Sequence, residues 1–319
     1  MIIKQFDVIT VGELNVDLIL NKIQGFPEVG KEILAKNMTL TLGSSSAIFA
    51  SNLSSLGTKV SFIGKVGDDM FGEVVTTELS AKGVDSSLLL TDTELNTGVT
   101  VVLNYQEDRA NVTYPGAMES LTLDDITEDK LKLGRHMHFA SLFLQDGISP
   151  DVIGLFKRAK EAGLTTSLDT QWDPSEQWSF DYENLLPYVD VFMPNKVEFL
   201  RLTKSDNFNQ AVEKIKGFAN STIVKNGSKG SILIKKNGEV SELPSYLNTQ
   251  VVDAIGAGDS FNAGFISQFI KGCSLEECQD FGNLTGAINT TEAGGTTAFS
   301  SKSEIVRKAK EVFGKEINI

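Results

Sequence analysis

Asp253-Ala254-Ile255-Gly256-Ala257-Gly258-Asp259-Ser260-Phe261-Asn262-Ala263-Gly264-Phe265 is the stretch on which the reading of this chain turns. Gly256 and Gly258 bring successive backbone amides together, and Phe261, Phe265 and Phe269 then recur at the four-residue spacing of an apolar helix face. The spacing predicts a helix that starts at the glycines, with the amides of Gly256, Ala257, Gly258 and Asp259 at its N-terminus. The first amides of a helix lack intrahelical acceptors and the macrodipole adds partial positive charge, so such a terminus favours an anion. Asp259 would be repelled by a bound phosphate unless a proton or hydroxyl lay between them. That is the arrangement of a general base beside a phosphoryl group in transfer. The same string also reads as an ordinary loop-to-helix junction with Asp as the capping residue.

Outward from that stretch, composition narrows the classes. The 319 residues are long enough to bury a large core in one domain or two modest ones. Hydrophobic residues at 41% and charged residues at 22% exclude disordered and fibrous chains. A net charge of −13 argues against a broad nucleic-acid or anionic-membrane surface, because either needs clustered Lys and Arg. No apolar run reaches the roughly 18 residues of a membrane span, and Met1-Ile2-Ile3-Lys4-Gln5-Phe6-Asp7 lacks an apolar signal core, so a cytoplasmic protein is expected. Cys273 and Cys278 are too few for a disulfide framework and read as reduced thiols. His136 and His138 alternate on one strand face and read as structural.

In chain order, Phe6 to Gly12 is a β-branched run ending in glycine, the expected first strand of an α/β sheet. Glu13-Leu14-Asn15-Val16-Asp17 follows instead of a Gly-x-Gly-x-x-Gly turn, so a dinucleotide-binding start is excluded. Asn15 and Asp17 at the end of that strand suit hydrogen bonds to a polyol, or a local Asx turn. Gly43-Ser44-Ser45-Ser46-Ala47 leads into a helix closed by Gly57; it reads as an N-cap, and Ala47 stands where a nucleophile elbow needs glycine. Residues 97–103 and 109–114 alternate like a hairpin around Gln106-Glu107-Asp108. Arg109 there is either solvated or a clamp for a phosphate already on the substrate.

From residue 134 strands alternate with helices: strands at 136–142, 165–169, 189–193 and 221–226, helices near 151–162, 196–202 and 208–218. The pattern predicts an α/β fold with a doubly wound, mostly parallel sheet. Asn195 and Glu198 hold the positions of a capping box. Gly227 and Gly230 end a strand in a tight turn, Asn283 lies in a helix from Leu275 to Thr290, and Glu292 to Ala298 is a glycine-bearing loop.

Residues 253–266, Asn15-x-Asp17, Gly67-x-Asp69-x-Phe71-Gly72 and Asn195-x-x-Glu198 together resemble the ribokinase-like (PfkB) carbohydrate kinase family over nearly the whole chain. The resemblance implies one ribokinase-like domain over residues 1–319, with insertions near 16–42 and 97–115 forming a small β-strand lid. It implies transfer of the γ-phosphoryl group of ATP to an alcohol group of a sugar, with Asp259 as base and the amides of Gly256, Ala257 and Gly258 as anion hole. It assigns Asn15, Asp17, Gly43 and Ser44 to the sugar, and Asn195 and Glu198 to magnesium through water. Lys225, Gly227, Gly230 and Asn283 would line the nucleotide. Asp253 and the 292–298 loop permit a bound monovalent cation such as K+, and lid edges leave a homodimer open.

The departures from the family pattern are Ala254 for Thr, Ser44 for the second Gly of a Gly-Gly pair, Ile48 for a sugar-binding Asn, and Lys225-Asn226 for Thr-Leu. The loss of the polar side chain at Ile48 keeps a nucleoside kinase of the same fold in view, and a non-catalytic sugar sensor on the kinase scaffold is a separate alternative. No Gly-x-x-x-x-Gly-Lys-[Ser/Thr] string occurs, so the chain is not a Walker-type enzyme.

Overall fold

The computed structural model describes residues 4–105 and 108–319, without the side chains of Asp108 and Arg109. The strands are β1 (Phe6–Val11), β2 (Asn15–Asn21), β3 (Asn37–Leu42), β4 (Val60–Ile63), β5 (Lys65–Gly67), β6 (Leu90–Asp92), β7 (Gly98–Tyr105), β8 (Asp108–Tyr114), β9 (Gly134–Ala140), β10 (Thr165–Asp169), β11 (Val191–Phe192), β12 (Ser221–Lys225), β13 (Ser231–Lys235) and β14 (Val240–Leu243). The helices are α1 (Ser45–Ser55), α2 (Met70–Ala81), α3 (Glu128–Lys132), α4 (Val152–Glu161), α5 (Tyr182–Leu185), α6 (Lys196–Leu202), α7 (Phe208–Ile215), α8 (Ala257–Phe269), α9 (Leu275–Asn289) and α10 (Lys302–Phe313).

Eight strands form the main sheet in the order β14-β13-β12-β11-β10-β9-β1-β4. Pairing is parallel from β4 to β12 and antiparallel for β13 and β14. Because side chains alternate between faces, each central strand feeds two cores. Val8, Phe62, Ile223 and Leu233 pack with Phe49 of α1, Val75 of α2, Phe265 of α8, Ile288 of α9 and Ile305 of α10. Ile9, Ile63, Val224 and Ile232 face the other way, against Phe156 of α4, Phe199 of α6 and Val212 of α7. The doubly wound, mostly parallel α/β architecture expected from the alternation is the one observed.

A second sheet, in the order β3-β2-β7-β8, leaves the main sheet just after β1. Its central pair is parallel, with Asn15 opposite Gly98 and Asp17 opposite Thr100. It holds the strand-like stretches read near 16–42 and 97–115. Of the turn read at Gln106-Glu107-Asp108, the first two residues lie outside the described residues, as does the side chain of Arg109.

Local differences from the expected elements have physical causes. The helix expected over 208–218 stops at Ile215, because Lys216 turns to ψ 123° and Gly217 takes φ +95°. The strand expected over 136–142 ends at Ala140, since Ser141 adopts a left-handed backbone at φ 56°. The strand at 189–193 reduces to Val191–Phe192. His136 and His138 are structural as read: both are buried, both hydrogen-bond Ser167 Oγ, and His138 stacks on Phe49 at 3.7 Å. Burial lowers both imidazoles, His136 to about 3, so neither is charged at neutral pH. Both cysteines are free thiols. Among the described residues no helix is long and apolar enough to cross a membrane.

Helices α8 and α9 approach closely at Gly264, where an added Cβ would lie 2.0 Å from Thr285 Oγ1 and 2.8 Å from Thr285 Cγ2. Gly264→Ala should therefore force the helices apart at a cost of about 1–3 kcal/mol. The expected reading is a fall in the thermal midpoint of several degrees, recovered in large part when Thr285→Ala removes the opposing atoms; an unchanged midpoint for Gly264→Ala would show that the crossing is loose.

Candidate active site

The C-terminal ends of β1, β10, β11 and β12 and the N-terminus of α8 meet at one cavity of about 1170 Å3. The predicted helix begins where the glycines place it: Gly256 is the N-cap in a left-handed conformation at φ +72°, and the helix runs from Ala257. A Cβ on Gly256 would lie 2.7 Å from Gly295 Cα and 3.1 Å from Ile48 Cγ2, so close approach as well as positive φ demands glycine. The turn is braced from behind. Asn52 Nδ2 donates to Ser260 Oγ and to the Gly295 carbonyl, both at 2.9 Å, while Asn289 Nδ2 donates to the Ile255 carbonyl at 2.6 Å and its Oδ1 accepts from Ser260 Oγ at 3.0 Å.

Asp259 lies in the first turn of α8, 7% exposed and lining the cavity. Burial, reinforced by the charge of Asp169, pushes its carboxyl up to about 8; Lys225 pulls the other way. Gln171 Nε2 bridges the two carboxylates, donating to Asp259 Oδ1 and Asp169 Oδ2 at 3.1 Å each.

At one end of the cavity are Asn15 and Asp17, together with Thr100, Asn111 and Thr113 from the second sheet. Asn15 Nδ2 donates to Thr100 Oγ1 at 2.8 Å and to Asp17 Oδ1 at 3.3 Å, so strand β7 orients the pair read from β2. Gly43 packs directly on them: its Cβ would lie 2.4 Å from Asp17 Oδ1 and 2.9 Å from Asn15 Nδ2. Ser44 lines the same region and caps α1, its Oγ donating to the Glu13 carbonyl at 2.6 Å and accepting from the Ala47 amide at 3.0 Å. Glu13 itself is buried among Ser46 and Ser141, and burial raises its carboxyl despite their hydrogen bonds.

Toward the other end lie Gly227 and Gly230, with Ser245, Tyr246, Leu247 and Asn283. Gly227 and Gly230 form the turn between β12 and β13 at φ +57° and +95°. Asn283 Oδ1 accepts from Ser231 Oγ at 3.0 Å. Between the two ends, Asn195 and Glu198 form the reciprocal capping box: Glu198 Oε2 accepts from the Asn195 amide at 2.8 Å and Oε1 from Asn195 Nδ2 at 2.5 Å. Burial and the charge of Asp169 raise the Glu198 carboxyl to about 7. Asp253 accepts from the Ile255 and Gly294 amides at 3.0 Å each, tying the start of the motif to the glycine-bearing loop.

Two residues singled out in the sequence make further contacts. Ile48 is 5% exposed, packs on Gly256 and Gly295 and also lines the cavity, so it supports the α8 turn and gives the site an apolar surface. Lys225, read as part of a nucleotide wall with an added local charge, reaches back: its Nζ lies 2.5 Å from Asp169 Oδ2 and 3.4 Å from Asn262 Oδ1. Its ammonium is paired with a buried carboxylate while Lys225 still lines the cavity. Asp169, Gln171, Asn262 and Glu13 escaped the sequence reading. Asp169 ends a strand read correctly, and position at a C-terminal strand end was the signal available.

Residues 5–302 match the family described as pfkB family carbohydrate kinase. An uncharacterized sugar kinase of Archaeoglobus fulgidus is 30% identical over 235 residues, covering 74% of this chain and 92% of that protein. 5-Dehydro-2-deoxygluconokinase 1 of Bacillus cereus is 26% identical over 319 residues, covering 95% and 94%. The structure of Arabidopsis thaliana ribokinase complexed with ribose and ATP superposes with a TM-score of 0.83 at 25% identity, covering 95% of this chain and 98% of that one.

A buried carboxyl whose folded-state value is about 8, against an ordinary 3.8, keeps its proton in the folded protein after the unfolded chain has lost it. The group therefore lowers stability progressively as pH rises from about 4 to 8. Asp259→Asn should raise the thermal midpoint at pH 8 by roughly 2–5 °C, with a smaller gain near pH 5. A gain that is the same at both pH values would mean that Asp259 is not the titrating group.

Proposed function

The chain belongs to the pfkB family of carbohydrate kinases, and from the geometry of the site we infer that it transfers the γ-phosphoryl group of ATP to an alcohol group of a sugar or sugar derivative. The observation that carries this reading is Asp259 in the first turn of α8, beside the amides at Gly256, Ala257 and Gly258, in a cavity with polyol-type partners at one end and a glycine turn at the other.

Asn15 and Asp17 would hold acceptor hydroxyls, one face being set by Thr100 and the other by the absence of a side chain at Gly43. Asp259 would accept the proton of the attacking hydroxyl, and its location inside the cavity suits in-line attack on a phosphoryl group at the α8 turn. The amides of the turn would stabilise charge on the transferring group, since they are oriented before the reaction begins. Gly227, Gly230 and Asn283, with the Lys225 backbone between β12 and the turn, would line the nucleotide. The second sheet would act as a lid that keeps water from competing for the phosphoryl group.

A kinase reaction of this type uses Mg2+, which neutralises the β and γ oxygens of ATP. The residues present fit a magnesium held largely by phosphate and water. Among the described residues no cluster of three carboxylate, His or Cys ligands stands ready, while Glu198 is a buried carboxylate whose two oxygens each already accept from Asn195. Its contact would therefore run through water. Asp253 and the 292–298 loop remain the candidate seat of a monovalent cation such as K+.

The acceptor end favours a sugar over a nucleoside. Its lining combines Asn15, Asp17, Thr100, Asn111 and Thr113, polar groups that suit hydroxyls even though the cavity also takes in the apolar Ile48. Retention of Asp259 in the turn favours catalysis over sensing.

The test is magnesium-dependent ADP release from ATP across sugars, sugar acids, sugar phosphates and nucleosides. One acceptor should turn over, and Asp259→Asn should lower kcat by several orders of magnitude while ligand binding survives; unchanged kcat would remove the base assignment. Gly43→Ala should push Asp17 aside and raise the acceptor KM about tenfold or more, with a thermal midpoint near that of the parent protein. An unaltered KM would separate Asn15 and Asp17 from the acceptor.

A further inference from the structure

Four side chains around Asp259 have no part in the reaction as described above. Asp169, at the end of β10, is fully buried, and its Oδ2 accepts from Lys225 Nζ at 2.5 Å, Asn262 Nδ2 at 2.5 Å and Gln171 Nε2 at 3.1 Å. Asn262 stands one turn along α8 from Asp259, and Gln171 reaches from Asp169 to Asp259 Oδ1. Lys225 arrives from the end of β12, and its ammonium lies 3.7 Å from where a Cβ on Gly258 would be, against the amide turn itself. Among the described residues lining the cavity it is the one basic side chain, facing Glu13, Asp17, Glu119, Asp146, Glu198 and Asp259.

Two carboxylates bridged by a single amide group cannot both carry full charge in a buried site unless a cation compensates one of them. Removing Lys225 would take away the cation that favours the charged form of Asp259 beside Asp169. A base that holds a proton at working pH cannot take another from the acceptor. The cluster is built from three elements that no local sequence pattern requires to meet, and each member is hydrogen-bonded to Asp169.

We propose that Asp169 and Lys225 form a positioning pair for the base: Lys225 compensates the charge of Asp169 beside Asp259, and Gln171, anchored on Asp169, aims the Asp259 carboxylate at the acceptor. The proposal rests on the kinase reading only for its catalytic readout. The charged groups facing Asp259 are Asp169 from β10 and Glu13 from the segment after β1, which both oppose its ionisation, and Lys225 from β12, which favours it. Ser45 at the start of α1 adds a hydrogen bond that favours the charged form. Lys225 in turn is held protonated: burial alone would lower it, but Asp169, Glu198 and Asp259 outweigh that effect and raise it.

The pair predicts displacements of opposite sign. With saturating MgATP and the best acceptor, kcat/KM is measured from pH 5.5 to 9.5 for the parent protein, Lys225→Met, Lys225→Arg and Asp169→Asn. Lys225→Met should move the acid limb to higher pH by about one unit or more, so that activity lost at pH 6.5 returns in part at pH 9. Asp169→Asn should move the limb to lower pH, and Lys225→Arg should leave it near the parent position. Equal loss at every pH with the limb in place for both Lys225→Met and Asp169→Asn would reduce the pair to a structural support and overturn the proposal.

Direct 13C observation of the Asp259 carboxyl, identified by its loss in Asp259→Asn, supplies a second readout that needs no turnover. The same two opposite displacements are expected there. If no acceptor turns over yet these displacements appear, the kinase reading fails and the pair stands; if turnover is normal and the Asp259 titration is unmoved in both variants, the pair falls and the kinase reading stands.

Discussion

A helix N-terminus that opens into a cavity at the carboxyl edge of a parallel sheet is the constraint around which this molecule is arranged. The amides that open α8 cannot be satisfied within the helix, and the turn that presents them exists only because Gly256 accepts positive φ while packed against Gly295 and Ile48. The tight crossing of α8 and α9 at Gly264, and the Asn52, Ser260 and Asn289 brace, hold that turn in one position. A site that waits for an anionic group with its donors already oriented spends little on reorganisation when the group arrives.

The same edge collects carboxylates, and this creates the electrostatic problem that the remaining residues address. Asp169, Glu198 and Asp259 converge from β10, α6 and α8, and burial raises the last two. By itself this arrangement works against folding, because charged forms are desolvated without full compensation. It becomes favourable when cationic charge enters. Lys225 supplies part of that compensation permanently, and a divalent ion accompanying a nucleotide would supply the rest. Under the proposed kinase reading, stability and function would therefore pull against one another at Asp259.

The second sheet shows how specificity is attached to this frame. Its central strand β2 leaves β1 through only Gly12, Glu13 and Leu14, so Asn15 and Asp17 are fixed relative to the main sheet by short covalent distance. Their orientation comes from farther away, through Thr100 on β7 and the bare backbone of Gly43. Under the proposed reading, variation in β7, β8 or the start of α1 would alter the acceptor without disturbing α8.

What the sequence by itself determined was local: the alternation of strands and helices, the glycine turn opening α8, the capping box at Asn195 and Glu198, and the family likeness carried by those strings. Each depends on residues within a turn or two of one another, where backbone preference and side-chain period act directly. Only the tertiary structure decided which distant groups meet. Asp169, Gln171, Lys225 and Asn262 come from β10, the segment after it, β12 and α8, and Lys225 looked like part of a turn until the fold swung its ammonium onto Asp169. The physical reason is that desolvation and Coulomb interaction depend on distance in space, which sequence separation does not encode, so the charge state of Asp259 is a property of the fold.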